Sequence, residues 1–376
     1  MTALALQKAK PWHAVLAEIG PQLADEERRC DAAGEFVGAN IATLRENGFF
    51  ELAVPTELGG AGLSFSELSS MLRKLAHYSS ATALTLAMHT HVTAAAAWRW
   101  QHQKAPTDGL LRKIAAERIQ ILTSGGSDWL LGSGTAEKVE GGYRIRGRKV
   151  FASGSPSANL FMTSAIEETP EGPMVLHFGV PMSAEGVSVV PTWDTLGMRG
   201  SASHDVMLDN VFVADTAISG QRKSGVWHPL FHIISMIAIP LVYSVYTGVA
   251  EAARDIAIDA VKKKRDDLAT VESAGAVETE LVAARIALAS MVSFAETAQP
   301  SPETTNTIFI HRTLVSRSAI KTVDRALNLV GGVSYFHKVG LERLFRDVQG
   351  ARFHALAKTP QRRLAGRMAF GLPIDD

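Results

Sequence analysis

Residues 224–250, SGVWHPLFHIISMIAIPLVYSVYTGVA, contain no aspartate, glutamate, lysine or arginine. A helix that is apolar all round has to be buried all round, so the chain must wrap this segment. Its length passes the test for a bilayer span, about 20 apolar residues, but Gly225, Pro229 and Pro240 interrupt it. A second uncharged stretch, ATALTLAMHTHVTAAAAW (81–98), carries two histidines and many small residues. Both read as core helices of a large helical bundle and not as membrane spans.

The texture of the chain changes twice. Up to residue 118 it is helical: FVGANIATLRENGFFEL and SELSSMLRKLAHYSSATALTLAM repeat apolar positions at intervals of three and four. The glycine-rich VPTELGGAGLS (54–64) lies between them as a turn region. From 119 to 221 come short runs rich in Val, Ile and Phe, such as GYRIRGRKVFASG, MVLHFGVP and HDVMLDNVFV, parted by Gly, Pro, Ser and Asn. These predict a β-domain, a small barrel or sandwich. From 222 to 376 helical periodicity returns, and segments at 232–264, 276–298, 303–330 and 351–369 suit a four-helix bundle.

With 376 residues, 46% of them hydrophobic, the chain can bury a large core. Formal net charge is zero and pI is about 7.2, so no global field draws it to nucleic acid or an anionic membrane. The lone Cys30 excludes an internal disulfide and fits a reducing cytoplasm. MTALALQKAKPWH lacks the apolar run of a secretory signal. The dinucleotide, P-loop and nucleophile-elbow motifs are absent. His228 and His232 are four apart but have no third ligand at a usable spacing, so they read as satisfied histidines and no metal is expected. The KKKR run at 262–265, followed at once by Asp266 and Asp267, reads as a solvated helix end.

Four segments, in order, resemble the acyl-CoA dehydrogenase superfamily of flavoproteins: VPTELGGAGLS (54–64), LTSGGSDWLLGSGTAEKVEGGYRIRGRKVFASG (122–154), WDTLGMRGSASHDVMLDNVFV (193–213) and ALNLVGGVSYFHKVGLERLFRD (326–347). The resemblance implies an α+β fold: an N-terminal helical domain (1–118), a central β-barrel domain (119–221) and a C-terminal four-helix bundle (222–376). It implies a bound flavin, FAD or FMN. Thr123 would bind the ring and Ser127 the phosphates; on its own TSGGSD is equally an ordinary polar turn. Phe151 and Ser153, two apart and so on one face of a strand, match the family's Trp-x-Thr pair that stacks on the flavin and bonds its N5 edge; the plainer reading is a core Phe beside a surface Ser. Asn328, Gly331 and Gly332 match the turn that holds the pyrophosphate of a neighbouring subunit's flavin, although Gly-Gly also suits a helix C-cap. A homo-oligomer, dimer or tetramer, follows from that match.

Three departures bear on function. The family's Thr-Glu-Pro-x-x-Gly-Ser-Asp is shortened to TSGGSD. Its Arg-x-x-Phe-Gly, which cushions the adenine, is reduced to Arg265 followed by DDL, so FMN competes with FAD. Ala355 occupies the place of the catalytic glutamate in RDVQGARFHALAKTPQRR, and the alternative place, on the helix near MIAIPLVYSVYTG, holds Ala238. An α-proton beside a thioester needs a positioned base, and alanine cannot accept a proton. His354 is ninth counting from Arg346, the position of a histidine in the reduced-flavin monooxygenases of this fold, and its ordinary pKa suits proton transfer near neutrality. His91 is a second candidate and His89 is less favoured; a core-facing histidine bonded to backbone is the plain alternative for both candidates. The main expectation is a flavin-dependent monooxygenase acting on a small organic substrate, supplied with reduced flavin by a separate reductase. The alternatives are an acyl-CoA dehydrogenase with a relocated base such as Glu251, and a flavin- or CoA-binding protein without turnover.

Overall fold

The computed structural model describes residues 10–124 and 128–374. Helices α1 (Trp12–Ala33), α2 (Gly38–Glu46), α3 (Phe65–Tyr78), α4 (Ser80–Gln103) and α5 (Asp108–Glu117) come first. Strands β1 (Ile121–Thr123), β2 (Thr135–Val139), β3 (Gly142–Ala152), β4 (Leu160–Glu167), β5 (Met174–Pro181), β6 (Val187–Val190), β7 (His204–Ala214) and β8 (Ile218–Lys223) follow. Helices α6 (Leu230–Val261), α7 (Leu268–Thr297), α8 (Pro302–Val330), α9 (Leu341–Val348) and α10 (Lys358–Ala369) complete the chain. Several helices begin on caps that the sequence supplies. Ser64 forms a capping box with Glu67 at α3, and Ser79, Asp267 and Ser301 accept from backbone N–H groups at α4, α7 and α8.

The strands form one sheet in the order β6-β7-β3-β2-β4-β5-β8, with β1 parallel to β4. The expected barrel takes the form of a continuous sheet whose end strands, β6 and β8, are not paired with each other. Its core is the inward set of each strand, among them Ile145, Phe161, Leu176, Phe178, Val206 and Val211.

Helix α6 is the uncharged segment, and 94% of its most apolar window is buried inside the protein. It packs against α3 and α4 on one side and α7 and α8 on the other. Short connections and the ion pairs Arg254–Glu278, Arg285–Glu251 and Arg325–Glu280 show that α6, α7 and α8 run antiparallel in turn. The helix expected over 276–298 runs from Leu268 to Thr297, starting a full two turns earlier than the periodicity suggests, because Asp267 caps it. The fourth expected segment, 351–369, is helical only from Lys358. Its first part is a turn, because outside donors take its carbonyls: the Tyr243 hydroxyl, Ser316 Oγ and Arg312 Nη2 all reach the Ala351 oxygen, at 2.6, 3.2 and 3.3 Å.

Two of the motif stretches meet. The Met198 N–H donates to Asp347 Oδ1 at 2.5 Å, Arg346 reaches the Leu196 carbonyl at 3.2 Å, and Gly197 lies flat against the Arg346 backbone, where a Cβ would collide. The Leu-Gly-x-Arg-Gly-Ser stretch of the sheet region is thus seated on the Arg-Asp of α9.

Where α3 crosses α6, Gly248 lets the backbones touch; a Cβ there would run into the Arg73 carbonyl and Ala76. Because the obstacle is backbone, it cannot swing aside. Gly248→Ala is expected to destabilise the protein by about 1–3 kcal/mol through overpacking, measured by urea denaturation; an unchanged midpoint would contradict this crossing.

Candidate functional site

Four elements converge on His354. The turn after α9 carries the residue, and its carbonyl accepts from Arg312 Nη2 of α8 at 2.9 Å. Its ring Nε2 is 2.6 Å from the hydroxyl of Tyr246 on α6. Tyr243, one helical turn before Tyr246, places its ring 6.3 Å from the imidazole, near-perpendicular. The Arg312 guanidinium lies 5.2 Å over the Tyr243 ring. Arg312 is 2% exposed and its partners are carbonyl oxygens; among the described residues no carboxylate pairs with it. Gly350 makes room for this arrangement, since a Cβ there would sit 2.6 Å from the Tyr246 oxygen.

Burial pushes the His354 imidazole down to about 3, and the charges of Arg312 and His91 act in the same direction. His91 of α4 is therefore near enough to be felt by His354. Burial lowers His91 to about 4, against a bond from its Nδ1 to the Ala87 carbonyl at 2.9 Å. His89 plays another part: Nδ1 accepts from the Ile121 N–H at 3.0 Å and Nε2 donates to the Phe50 carbonyl at 2.8 Å. It ties α4 to β1 with both nitrogens used.

Asp347 is the carboxylate that acts on Tyr246, but its oxygens are engaged by Met198, Ser80 and Arg343. Ala355 is part-exposed beside His354, and Ala238 is buried in α6. Glu251, weighed as a relocated base, is spoken for. Burial would raise its carboxyl, but the bond from His77 at 3.0 Å and the guanidiniums of Arg73 and Arg285 outweigh it and hold it ionised.

A second face lies at the end of β3. Phe151 turns to solvent while Ala152, the last residue of β3, is fully buried; Ser153 follows in the turn, half-buried. The Phe151 ring is 60% exposed and meets the Trp193 ring edge-on at 5.6 Å. Ser153 joins a chain of hydroxyls through Ser203 (2.7 Å) to Ser201 (2.8 Å). Thr123, half-buried, ends β1. An exposed phenylalanine backed by the part-buried Trp193, with hydroxyls beside it, fits a flat, polar-edged ring such as a flavin. Ser127 lies outside the described residues; the neighbouring Asp128 is held by Lys149 at 3.2 Å.

Arg265, Asn328, Gly331 and Gly332 are not brought to this face. They follow or end α6 and α8, at the same end of the antiparallel helices, and are exposed. Among the described residues no hydrogen bond or ion pair joins them to Thr123, Phe151 or Ser153, and Arg265 has only Asp266 at 3.9 Å. A Cβ on either glycine would meet nothing within 4 Å. No group of three or more metal-ligating side chains occurs among the described residues; His232 is instead bonded to Thr305 at 2.7 Å.

Sequence reading missed Tyr246, Arg312 and Trp193. Trp193 lay inside a quoted motif. Tyr246 sat in the uncharged helix, where nothing distinguishes a site tyrosine from a core one. Arg312 carried no local signal.

The acyl-CoA dehydrogenase N-terminal, middle and C-terminal domains match residues 15–108, 123–211 and 241–359. The chain belongs to the acyl-CoA dehydrogenase superfamily. It is 27% identical over 363 residues to L-evernosamine nitrososynthase of Micromonospora sp. (90% of this chain, 85% of that one), and 26% identical over 380 residues to a pigment production hydroxylase of Rhodococcus sp. (95% of each). Among solved structures it superposes on a nitrososynthase from Micromonospora carbonacea var. africana with a TM-score of 0.88, at 24% identity over 96% of each chain. FMN-bound TdsC from Paenibacillus sp. A11-2 gives 0.84 at 19% identity, over 97% of this chain and 99% of that one. These structural matches establish the shared superfamily fold.

Four histidines are held neutral by burial: His89, His91 and His177 near 4 and His354 near 3. In the unfolded chain they titrate near pH ~6.5. Between those values the unfolded chain binds protons that the folded one refuses, so the stability present above pH ~6.5 is lost as pH falls. Asp347, pushed up to about 6 mainly by burial, works the other way, one group against four. The urea midpoint is expected to drop between pH ~7 and ~5; a flat or rising midpoint over that window would contradict neutral burial of the set.

Proposed function

We propose that this flavin-dependent oxidoreductase is an oxygenating enzyme, a monooxygenase that acts on a small organic substrate with reduced flavin delivered by a separate reductase. The observation that carries the reading is the composition of the cluster around His354. Where thioester dehydrogenation needs a carboxylate, the chain offers the methyl groups of Ala355 and Ala238, two neutral imidazoles and a tyrosine. Glu251 is consumed by Arg285, Arg73 and His77.

Phe151 would cover the flavin ring, with Trp193 behind it, while Thr123, Ser153 and Ser127 would hold its polar edge and phosphate. Bound in its reduced form, the flavin supplies the electrons that activate oxygen. His354 then acts as a hydrogen-bonding partner to the reacting atoms and His91 accepts a hydrogen bond from the substrate. The apolar walls of α6 exclude water from both. FAD and FMN both suit the ring face, and the adenine end has Arg265 without an aromatic shelf. Asn328, Gly331 and Gly332 would serve the flavin of a second copy, making the active form a homodimer or homotetramer. The exposed Val333, Tyr335 and Phe336 beside those glycines support such an interface. A cytoplasmic setting accords with the unpaired Cys30.

The test is anaerobic incubation of the flavin-loaded protein with acyl-CoA thioesters of varied chain length. The flavin is expected to stay oxidised; bleaching by any thioester would restore the dehydrogenase reading. With chemically reduced flavin and oxygen, His354→Asn is expected to release hydrogen peroxide several-fold faster, about 1 kcal/mol in the barrier. An unchanged rate would remove His354 from the chemistry.

A further inference from the structure

We propose that Tyr246 is a positioning residue that holds His354 with its proton on Nδ1, so that this imidazole shows the site a hydrogen-bond donor, while His91, also protonated on Nδ1, shows it an acceptor. That these nitrogens serve catalysis rests on the functional reading above; the proton positions do not.

The argument is one of accounting. Tyr246 is fully buried, and among the described residues its hydroxyl has one hydrogen-bonding neighbour, His354 Nε2 at 2.6 Å. Gly350 packs beside the same oxygen, where a Cβ would come within 2.6 Å of it. Burial, with the nearby Tyr243 and Asp347, raises the phenol well above its ordinary value, so it keeps its proton. If Nε2 carried a hydrogen, it would donate to the phenol and leave the phenolic proton buried without an acceptor, at a cost of about 1–3 kcal/mol. The satisfied arrangement has the Tyr246 O–H donating to a bare Nε2. A neutral imidazole then carries its single proton on Nδ1.

Burial holds the ring neutral and the charges of Arg312 and His91 act in the same direction, while the rings of Tyr243 and Tyr246 lie against it. Arg312 also fixes the backbone beneath it, donating from Nη2 to the carbonyls of Ala351, Arg352 and His354 at 3.3, 3.3 and 2.9 Å. In His91 the logic runs the other way. Nδ1 lies 2.9 Å from the Ala87 carbonyl, which can only accept, so Nδ1 bears the proton and Nε2 is left with its lone pair. Both rings have the same tautomer, but opposite nitrogens are free. His354 is thereby suited to donating a hydrogen bond to an oxygen atom and unsuited to removing a proton; His91 is the acceptor of the pair.

The experiment is 15N NMR of the full chain labelled at histidine, with and without FMN, the two resonances assigned with His354→Asn and His91→Asn. Wild type is expected to show the Nδ1–H pattern for both rings from pH ~6 to ~8. Tyr246→Phe should shift His354 towards the Nε2–H form, leave His91 unchanged, and change the rate of hydrogen peroxide release from reduced flavin and oxygen. An Nε2–H pattern for His354 in wild type, or an Nδ1–H pattern that Tyr246→Phe does not alter, would overturn the assignment. Should Tyr246→Phe fail to fold, the wild-type spectrum decides alone. Correct proton positions in a protein that consumes no oxygen with reduced flavin would overturn the functional reading and leave the tautomers standing.

Discussion

Asp347 is a buried carboxyl on which three parts of the chain depend. Met198 N–H, from the loop before β7, donates to one oxygen; Ser80 at the start of α4 and Arg343 on α9 donate to the other. Arg343 also reaches Glu27 on α1, which in turn accepts from Ser80 and the Ala81 N–H. One guanidinium is shared by two enclosed carboxyls. Burial, with the Glu27 charge, raises Asp347 to about 6 against the pull of Arg343. Such a cluster is poor as net stabilisation, because desolvation offsets most of the attraction, yet removing one partner leaves a buried charge stranded at about 3–5 kcal/mol. Its value here lies in geometry. It fixes where α9 ends, and so where the turn bearing His354 begins.

From that junction the site is assembled by α6. The helix is apolar through most of its length, so it can be surrounded by α3, α4, α7 and α8, and every polar group it does carry must find a partner inside the protein. Tyr243 and Tyr246 meet this need by bonding the turn, one to the Ala351 carbonyl and one to the His354 ring. The turn in turn satisfies part of Arg312. The same rule that makes the helix a core element makes its two tyrosines the scaffold of the cluster.

The Phe151 face and the His354 cluster were legible to different degrees. The outward Phe151 and inward Ala152 were readable because strand period sends neighbours to opposite sides, whereas Ser153 lies just beyond the strand's end. His354 stood out only through its distance from the Arg-Asp pair. The sequence already favoured His91 over His89 without showing the reason: His89 spends both nitrogens on the Phe50 carbonyl and the Ile121 N–H, partners remote in sequence. Arg312 was invisible, since a cation amid helical residues reads as surface until its neighbours are known. The stretch 351–357 was read as α-helix because the donors that hold its carbonyls come from α6 and α8.

The sequence by itself determined the helical, β, helical order and the burial of the uncharged helix, because periodicity and desolvation are local properties of the residues. It also determined that no carboxylate stands at Ala355 or Ala238. The tertiary structure alone decided which partners each histidine nitrogen meets, and that Glu251 is locked away among cations. Those outcomes depend on hydrogen-bond partners brought together from distant segments, and a partner's identity is not written in the residue that needs it.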